Sequence, residues 1–234
     1  EKGNKINKEL NEFIAKMNEN GGTKKLADKW FSGTRPTEFE DYKSLTGENG
    51  TIQVGMTAID PPFSYQDDDV LTGFDLEYII LFAREYGYKL ELNTVDFSFI
   101  LGSVQTGKYD LALGGITITD ERKEMLNFTD SHYQSSVIMV TKGNDSGQTS
   151  LSDLSDKRLG IVTGSIFSIT LPPLLPDATY LEFNNYSDVI SALENGKIDA
   201  FPTDESIYKS MLWEGSSVDR IDESIAVSDY GMIF

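Results

Sequence analysis

The chain has 234 residues, 39% of them hydrophobic and 11% aromatic, which is enough for one large or two small α/β cores. Its formal net charge of −18 leaves no basic patch to displace counterions from phosphates, which argues against a nucleic-acid partner. With no cysteine there are no disulfides or thiolate metal sites, and no run approaches the roughly 18 to 20 apolar residues that cross a bilayer.

Taken in chain order, residues 6–31, "INKELNEFIAKMNENGGTKKLADKWF", read as two helices broken at Gly21-Gly22, with Leu10, Phe13, Ile14 and Met17 in one apolar stripe. Residues 32–50, "SGTRPTEFEDYKSLTGENG", have no period and read as a linker. From residue 51 strands and helices alternate: "TIQVGM", then "FDLEYIILFAREYG" with Asp75 as the expected N-cap and Gly87 past its end, then "KLELNTV". This alternation predicts βαβ units and a parallel sheet. Two stretches repeat one pattern. "FSFILGSVQTGKYDLALGGIT" and "NYSDVISALENGKIDAFPTDES" each offer a serine cap, a short amphipathic helix, a Gly-Lys-x-Asp turn and an apolar strand, which predicts two similar lobes. Ligands of open α/β sheets bind beyond the carboxyl ends of the strands, so "GGIT" and "PTDE" are the candidate walls of one cleft.

The residues that could carry chemistry sit at those strand ends. In "LALGGITITDERKEML", residues 111–126, an arginine falls in the first turn of a helix, where the macrodipole disfavours a cation by a few tenths to about 1 kcal/mol. Met125 and Leu126 give Arg122 no acidic partner downstream, so it is expected to address a group outside its own helix. Gly114 and Gly115, the Thr117 hydroxyl, amides at the helix start and Arg122 form a donor set suited to a carboxylate; the plainer alternative is a turn with a surface arginine. Asp204 could accept from a ligand ammonium or simply cap the helix "ESIYKSML". "VTGSIFS" offers Ser165 and nearby amides, again with a cap as the alternative. Phe63, Tyr65, Phe97 and Phe99 cluster by the same strand ends, where a core role explains most of them. No G-x-G-x-x-G or P-loop spacing, no metal-ligand cluster and no G-x-S-x-G occurs, and His132 is the single histidine, so no cofactor is expected and binding outranks catalysis.

Through "IQVGMTAIDPPFSY", "GFDLEYI", "VDFSFILGSVQTGKYDLALGGITITDERKEMLNFTDSHY", "LGIVTGS" and "GKIDAFPTDES", residues 51–234 resemble the amino-acid-binding proteins of ABC importers, solute-binding family 3, close to glutamine- and histidine-binding proteins. The resemblance implies a periplasmic binding protein-like II fold, two α/β lobes joined by two hinge strands, holding one L-amino acid for a membrane permease outside the cytoplasm. It assigns Arg122, Thr117 and the amides near Ser165 and Ile166 to the ligand carboxylate, Asp204 and the Gly115 carbonyl to its ammonium, and Phe97 to the side-chain pocket. An extracellular sensor domain and a cyclohexadienyl dehydratase-like enzyme are the rival readings.

Two departures from the family bear on the expectations. Asp60 stands where relatives usually carry a stacking aromatic, and Val162 where glutamine-binding relatives place a lysine, which favours a cationic or donor-rich ligand side chain. The closing segment of the family, with its "KKWF", stands here at the start of the chain, which implies a circular permutation, a cut across a tandem array or a segment exchanged between molecules. The expected division is 1–31 closing helices packed on lobe 1, 32–50 linker, 51–131 lobe 1, 132–136 hinge, 137–225 lobe 2, 226–230 hinge and 231–234 a return to lobe 1.

Overall fold

A computed structural model describes residues 2–143, 147–213 and 215–234. The chain divides into two compact units, Glu1–Gln134 with Asp229–Phe234, and Ser135–Ser228.

The first unit opens with helices α1 (Lys2–Glu19) and α2 (Gly22–Phe31), separated where Gly21 takes a left-handed conformation, φ 75°. The stripe on α1 is buried through Ile6, Leu10, Phe13 and Ile14. Strand β1 (Thr51–Met56) leads into a three-stranded antiparallel meander, β2 (Ile59–Asp60), β3 (Ser64–Asp67) and β4 (Val70–Thr72), then helix α3 (Phe74–Tyr86), strand β5 (Lys89–Thr94), helix α4 (Phe97–Gln105), strand β6 (Leu111–Leu113) and the short helix α5 (Asp120–Met125). The parallel sheet has the order β5-β1-β6. Phe13 of α1 meets Tyr78 and Phe82 of α3 edge-on at 5.7 and 5.8 Å; burying such a ring stabilises by roughly 2 to 3 kcal/mol. Residues 32–50 join α2 to β1 without a strand or α-helix and are packed down. Phe39 stacks on the fully buried Trp30, Arg84 bonds Glu40 at 2.6 Å and Leu45 is buried. Gly3 lies beside the other end of the chain, an ideal Cβ there standing 3.9 Å from the Cβ of Phe234. Glu1, on which the expected meeting of the two ends was framed, lies outside the described residues.

The second unit is entered along β7 (Tyr133–Lys142) and left along β12 (Ala226–Tyr230). Between them come β8 (Arg158–Val162), α6 (Phe167–Thr170), β9 (Thr179–Phe183), α7 (Tyr186–Glu194), β10 (Ala200–Asp204), α8 (Glu205–Trp213) and β11 (Val218–Arg220). The sheet runs β11-β7-β10-β8-β9, with β12 also on β7, and its core gathers Val137, Met139, Leu159, Ile161, Phe167 and Leu171.

The sequence repeat is repeated bond for bond. After α4, Gly107 (φ 72°) donates to Val104 O and Lys108 to Ser103 O; after α7, Gly196 (φ 67°) donates to Leu193 O and Lys197 to Ala192 O. Both are helix ends of the Schellman type, which need a left-handed residue that glycine adopts without steric cost. Each aspartate two residues beyond the lysine then clasps the neighbouring strand. Asp110 N donates to Gln53 O and its carboxylate accepts from Gln53 N, both at 2.9 Å; Asp199 N donates to Arg158 O at 2.8 Å and its carboxylate accepts from Arg158 N at 2.9 Å. Arg158 adds a two-pronged side-chain grip, which holds the Asp199 carboxyl below the usual carboxylate range. The expected serine caps are corrected: Asp96 stands at the start of α4 without a side-chain cap bond, and Asn185 caps α7 by accepting from Asp188 N.

Candidate functional site

Asp75 does not cap α3. The cap position belongs to Gly73 (φ 130°), and the first helical amides are taken by backbone: Phe74 N donates to Pro62 O at 2.8 Å and Asp75 N to Phe63 O at 3.0 Å. The meander therefore satisfies the orphan donors of α3, and the Asp75 side chain is released for another task. It points to the double glycine, accepting from Gly114 N at 3.1 Å and Gly115 N at 2.8 Å, while its other oxygen meets His132 Nε2 at 2.7 Å. Asp75 is 1% exposed and His132 2%. The glycine amides thus serve this carboxylate, which corrects the expectation that they stand open to a ligand. Both glycines have positive φ, 128° and 66°, and a Cβ on Gly114 would lie 2.9 Å from Ser64 Oγ, so neither the turn nor its packing admits a side chain.

Beyond the glycines the chain is held from its other side, where Gly231 N donates to Ile116 O and Ile118 N to Asp229 O. Thr117, half-buried, is bridged to Tyr230. Helix α5 starts with Thr119 as its cap, accepting from Arg122 N at 3.2 Å, and carries Asp120 and Glu121 in its first turn, so the macrodipole is already complemented. Arg122 is 6% exposed and turns back out of the helix to donate from Nη1 to Thr117 O at 2.8 Å. Burial pushes its pKa down from the ordinary value, with Glu121 and Tyr230 opposing. A guanidinium keeps its charge through such a shift, so this corner concentrates positive charge in a weakly solvated place.

The β2–β3 turn covers the glycine loop. A Cβ on Gly115 would touch the Phe63 ring at 3.0 Å, and Thr57 Oγ1 bonds Ser64 Oγ at 2.7 Å under Gly114. Asp60 ends β2, paired with Ser64 and half-buried. Desolvation raises its carboxyl to about 6 against the opposing pull of a Thr57 hydrogen bond. Phe97, the first residue of α4, is half-buried against the cluster of Ile100, Val104, Tyr109 and Ile116. A groove of about 760 Å³ runs beside it, lined by Ala58, Ile59, Thr94, Asp96 and the exposed Phe99, with Lys108 at one end.

In the second unit the candidate residues again lie at strand ends. Ser165 N donates to Val162 O at 3.0 Å to close the turn after β8, so that amide is committed. The Ser165 hydroxyl is buried with no hydrogen-bond partner among the described residues, and Ile166 begins the turn of α6. Asp204 is the last residue of β10, opposite Val137 and 6% exposed, and it directly precedes α8. Thr203 and Ser206 flank it with buried hydroxyls that have no partner among the described residues.

Asp75, His132, Thr203 and Ser206 were not among the candidates drawn from sequence. The one available signal was Asp75 itself, an acidic residue two positions after Gly73 in the largely apolar run "FDLEYIILF". Among the described residues no group of three or more His, Cys, Asp or Glu could hold a metal ion.

Residues 52–165 match the family described as bacterial extracellular solute-binding proteins, family 3. The chain is 33% identical over 149 residues to the arginine-binding extracellular protein ArtP of Bacillus subtilis, covering 63% of this chain and 58% of ArtP. It is 30% identical over 165 residues to a probable histidine-binding protein of Campylobacter jejuni, covering 70% of this chain and 64% of that one. The chain thus spans about three fifths of the length of the curated relatives it matches. Among solved structures, an ancestral arginine-binding protein bound to arginine matches with a TM-score of 0.73 at 31% identity, over 79% of this chain and 84% of that one. No helix among the described residues is long and apolar enough to cross a membrane.

Proposed function

Because the chain belongs to the bacterial extracellular solute-binding proteins of family 3 and has the periplasmic binding protein-like II fold, we propose that it captures a polar L-amino acid outside the cytoplasm and delivers it to the permease of an ABC importer. The observation that carries this reading is Arg122, a buried guanidinium whose Nη1 is committed to a backbone carbonyl at the end of the "GGIT" strand. An amino-acid carboxylate meets a guanidinium with two parallel hydrogen bonds, each contributing roughly 1.5 to 3 kcal/mol. Arg122 and Thr117 take the carboxylate in this reading, helped by the Ser165 hydroxyl and the Ile166 amide. Asp204 takes the ammonium, together with the Gly115 carbonyl, and Phe97 borders the side chain.

The test is a thermal-shift screen against the L-amino acids, with calorimetry on any hit. A ligand at 100 times its dissociation constant stabilises by about 2.7 kcal/mol; no shift with any amino acid would discard the proposal. A cyclohexadienyl dehydratase-like enzyme is the second reading. It draws on Asp60, whose carboxyl, raised to about 6, is suited to proton transfer near neutral pH. Measured turnover of prephenate or arogenate would move the assignment there; none is expected.

A further inference from the structure

Glu-Asn-Gly occurs three times in the chain, at residues 19–21, 48–50 and 194–196. All three asparagines are exposed, so one short sequence meets water in three settings that differ only in how the fold holds it. An asparagine before a glycine is open to attack on its side chain by the next backbone nitrogen, because glycine puts no Cβ in the way. Hydrogen bonds to the two reacting groups oppose that attack.

At two of the sites both groups are held. Gly50 N donates to Gly47 O and Gly196 N to Leu193 O, each at 3.0 Å, and Asn49 Nδ2 donates to Tyr86 O and Asn195 Nδ2 to Ser191 O, each at 2.8 Å. Asn20 stands differently. Gly21 N reaches Asn18 O only at 3.4 Å, a weak bond, and an ideal Cβ on Gly21 meets nothing within 4 Å. Asn20 Oδ1 accepts from Gly22 N at 2.8 Å, so a donor is already aimed at the oxygen on which negative charge develops during the attack. The second glycine admits this contact, since a Cβ on Gly22 would stand 2.9 Å from Asn20 Oδ1 and 2.6 Å from Met17 Sδ.

We propose that Asn20 is a site of self-modification, converted to aspartate and β-linked aspartate by its own backbone at the corner between α1 and α2. The Gly21 nitrogen gives up its proton to water or hydroxide and attacks Asn20 Cγ. The new bond closes a cyclic imide, the bond from Cγ to Nδ2 breaks, and that nitrogen takes up a proton and leaves as ammonia. Water then opens the imide. Attack at Cγ gives aspartate, and attack at the main-chain carbonyl carbon gives the β-linked form; nothing is oxidised or reduced. The aspartate puts a carboxylate at the amino end of α2, whose first turn has no acidic residue, and the β-linked form adds a carbon to the main chain at the corner.

The intact chain is incubated in mildly alkaline buffer made with heavy-oxygen water and then digested, and the peptides carrying residues 20, 49 and 195 are followed by mass spectrometry. In the folded chain Asn20 should convert at least about tenfold faster than Asn49 or Asn195. In urea, where the fold no longer distinguishes the three motifs, the rates should come within about threefold of one another. Gly22→Ala, with its fold checked by circular dichroism, should slow Asn20 in the folded chain towards the other two. Equal rates in the folded chain, a lead of Asn20 that persists in urea, or a lead that a folded Gly22→Ala chain retains in full would each overturn the proposal.

Discussion

Replacing Asp75 by asparagine removes one charge and changes no shape, and it strikes the point where the glycine loop, helix α3 and His132 meet. Three hydrogen bonds end on that carboxylate: Gly114 N at 3.1 Å, Gly115 N at 2.8 Å and His132 Nε2 at 2.7 Å. An asparagine can turn its carbonyl to the glycines and keep two of them, now to a neutral acceptor. Its amide then faces His132 Nε2, so the imidazole must carry its proton on Nδ1, which is buried with no partner among the described residues. A bond to a charged acceptor is worth roughly 0.5 to 1 kcal/mol more than a neutral one, so weakening three of them costs about 2 to 3 kcal/mol. At about 2 to 4 °C per kcal/mol for a chain of this size, the melting temperature should fall by roughly 4 to 12 °C.

The two tryptophans allow that loss to be read in the correct unit. Trp30 is fully buried in the first unit, its Nε1 donating to Glu77 at 2.9 Å, and Trp213 belongs to the second. Urea unfolding followed by Trp30 fluorescence in a Trp213→Phe background therefore reports the first unit alone. Asp75→Ala, which leaves two backbone amides and an imidazole without their acceptor, should lose more stability than Asp75→Asn. An asparagine variant within about 0.5 kcal/mol of the parent, or an alanine variant more stable than the asparagine one, would refute the reasoning.

Gly73→Ala should not yield a folded first unit, because the added Cβ would stand 2.2 Å from Phe63 O at a φ of 130°; circular dichroism and the soluble yield check this. Arg122→Met should raise the dissociation constant for the amino acid found in the screen by about 10- to 100-fold in calorimetry, and leave the unliganded melting temperature equal or higher, since a desolvated charge is removed. Asp60 gives a pH dependence of definite sign. Its folded pKa, about 6, lies above the unfolded value, so the folded state holds the proton more tightly and the unliganded chain loses stability as pH rises from about 4 through 6. Asp60→Asn should flatten that fall by up to about 2 kcal/mol, discounted for partial exposure, in urea titrations at pH 4 and 8; equal slopes in the two chains would contradict it.

What the sequence made legible was local. Periodicity and glycine punctuation located the helix pair, read over residues 6–31 and found over 2–31, the strands β1 and β5 and the duplicated Gly-Lys-x-Asp turns, because each depends on neighbours within a few residues. The cap assigned to Asp75 failed because a side-chain cap and a backbone cap look the same in sequence. Only the fold brings Pro62 and Phe63 over the start of α3, and with those donors met the carboxylate reaches residues some forty positions away. The packing of residues 32–50 escaped the sequence for a related reason. Without periodic apolar residues there was nothing to signal that Phe39 would stack on Trp30. The orphan hydroxyls of Thr203 and Ser206 were invisible because burial, which makes them informative, is a property of packing.

The duplicated clasp also separates structural from functional residues. Asp110 and Asp199 perform one task in two places, pinning a strand to its neighbour, and that task is independent of any ligand. The same spacing that carries Gly107 to Gly196 and Asp110 to Asp199 carries Gly115 to Asp204, so the glycine loop and the acidic strand end are equivalent positions of the two repeats. There the chemistry diverges. One repeat follows its strand with a left-handed glycine and the buried Arg122, the other with a buried carboxylate flanked by two hydroxyls that have no partner among the described residues. The two repeats thus copy their hydrogen bonds and differ in charge at matching positions. Loss of the Asp110 clasp should therefore lower stability without changing which amino acid binds, whereas Arg122→Met should weaken the binding of every amino acid alike while stability stays equal or rises.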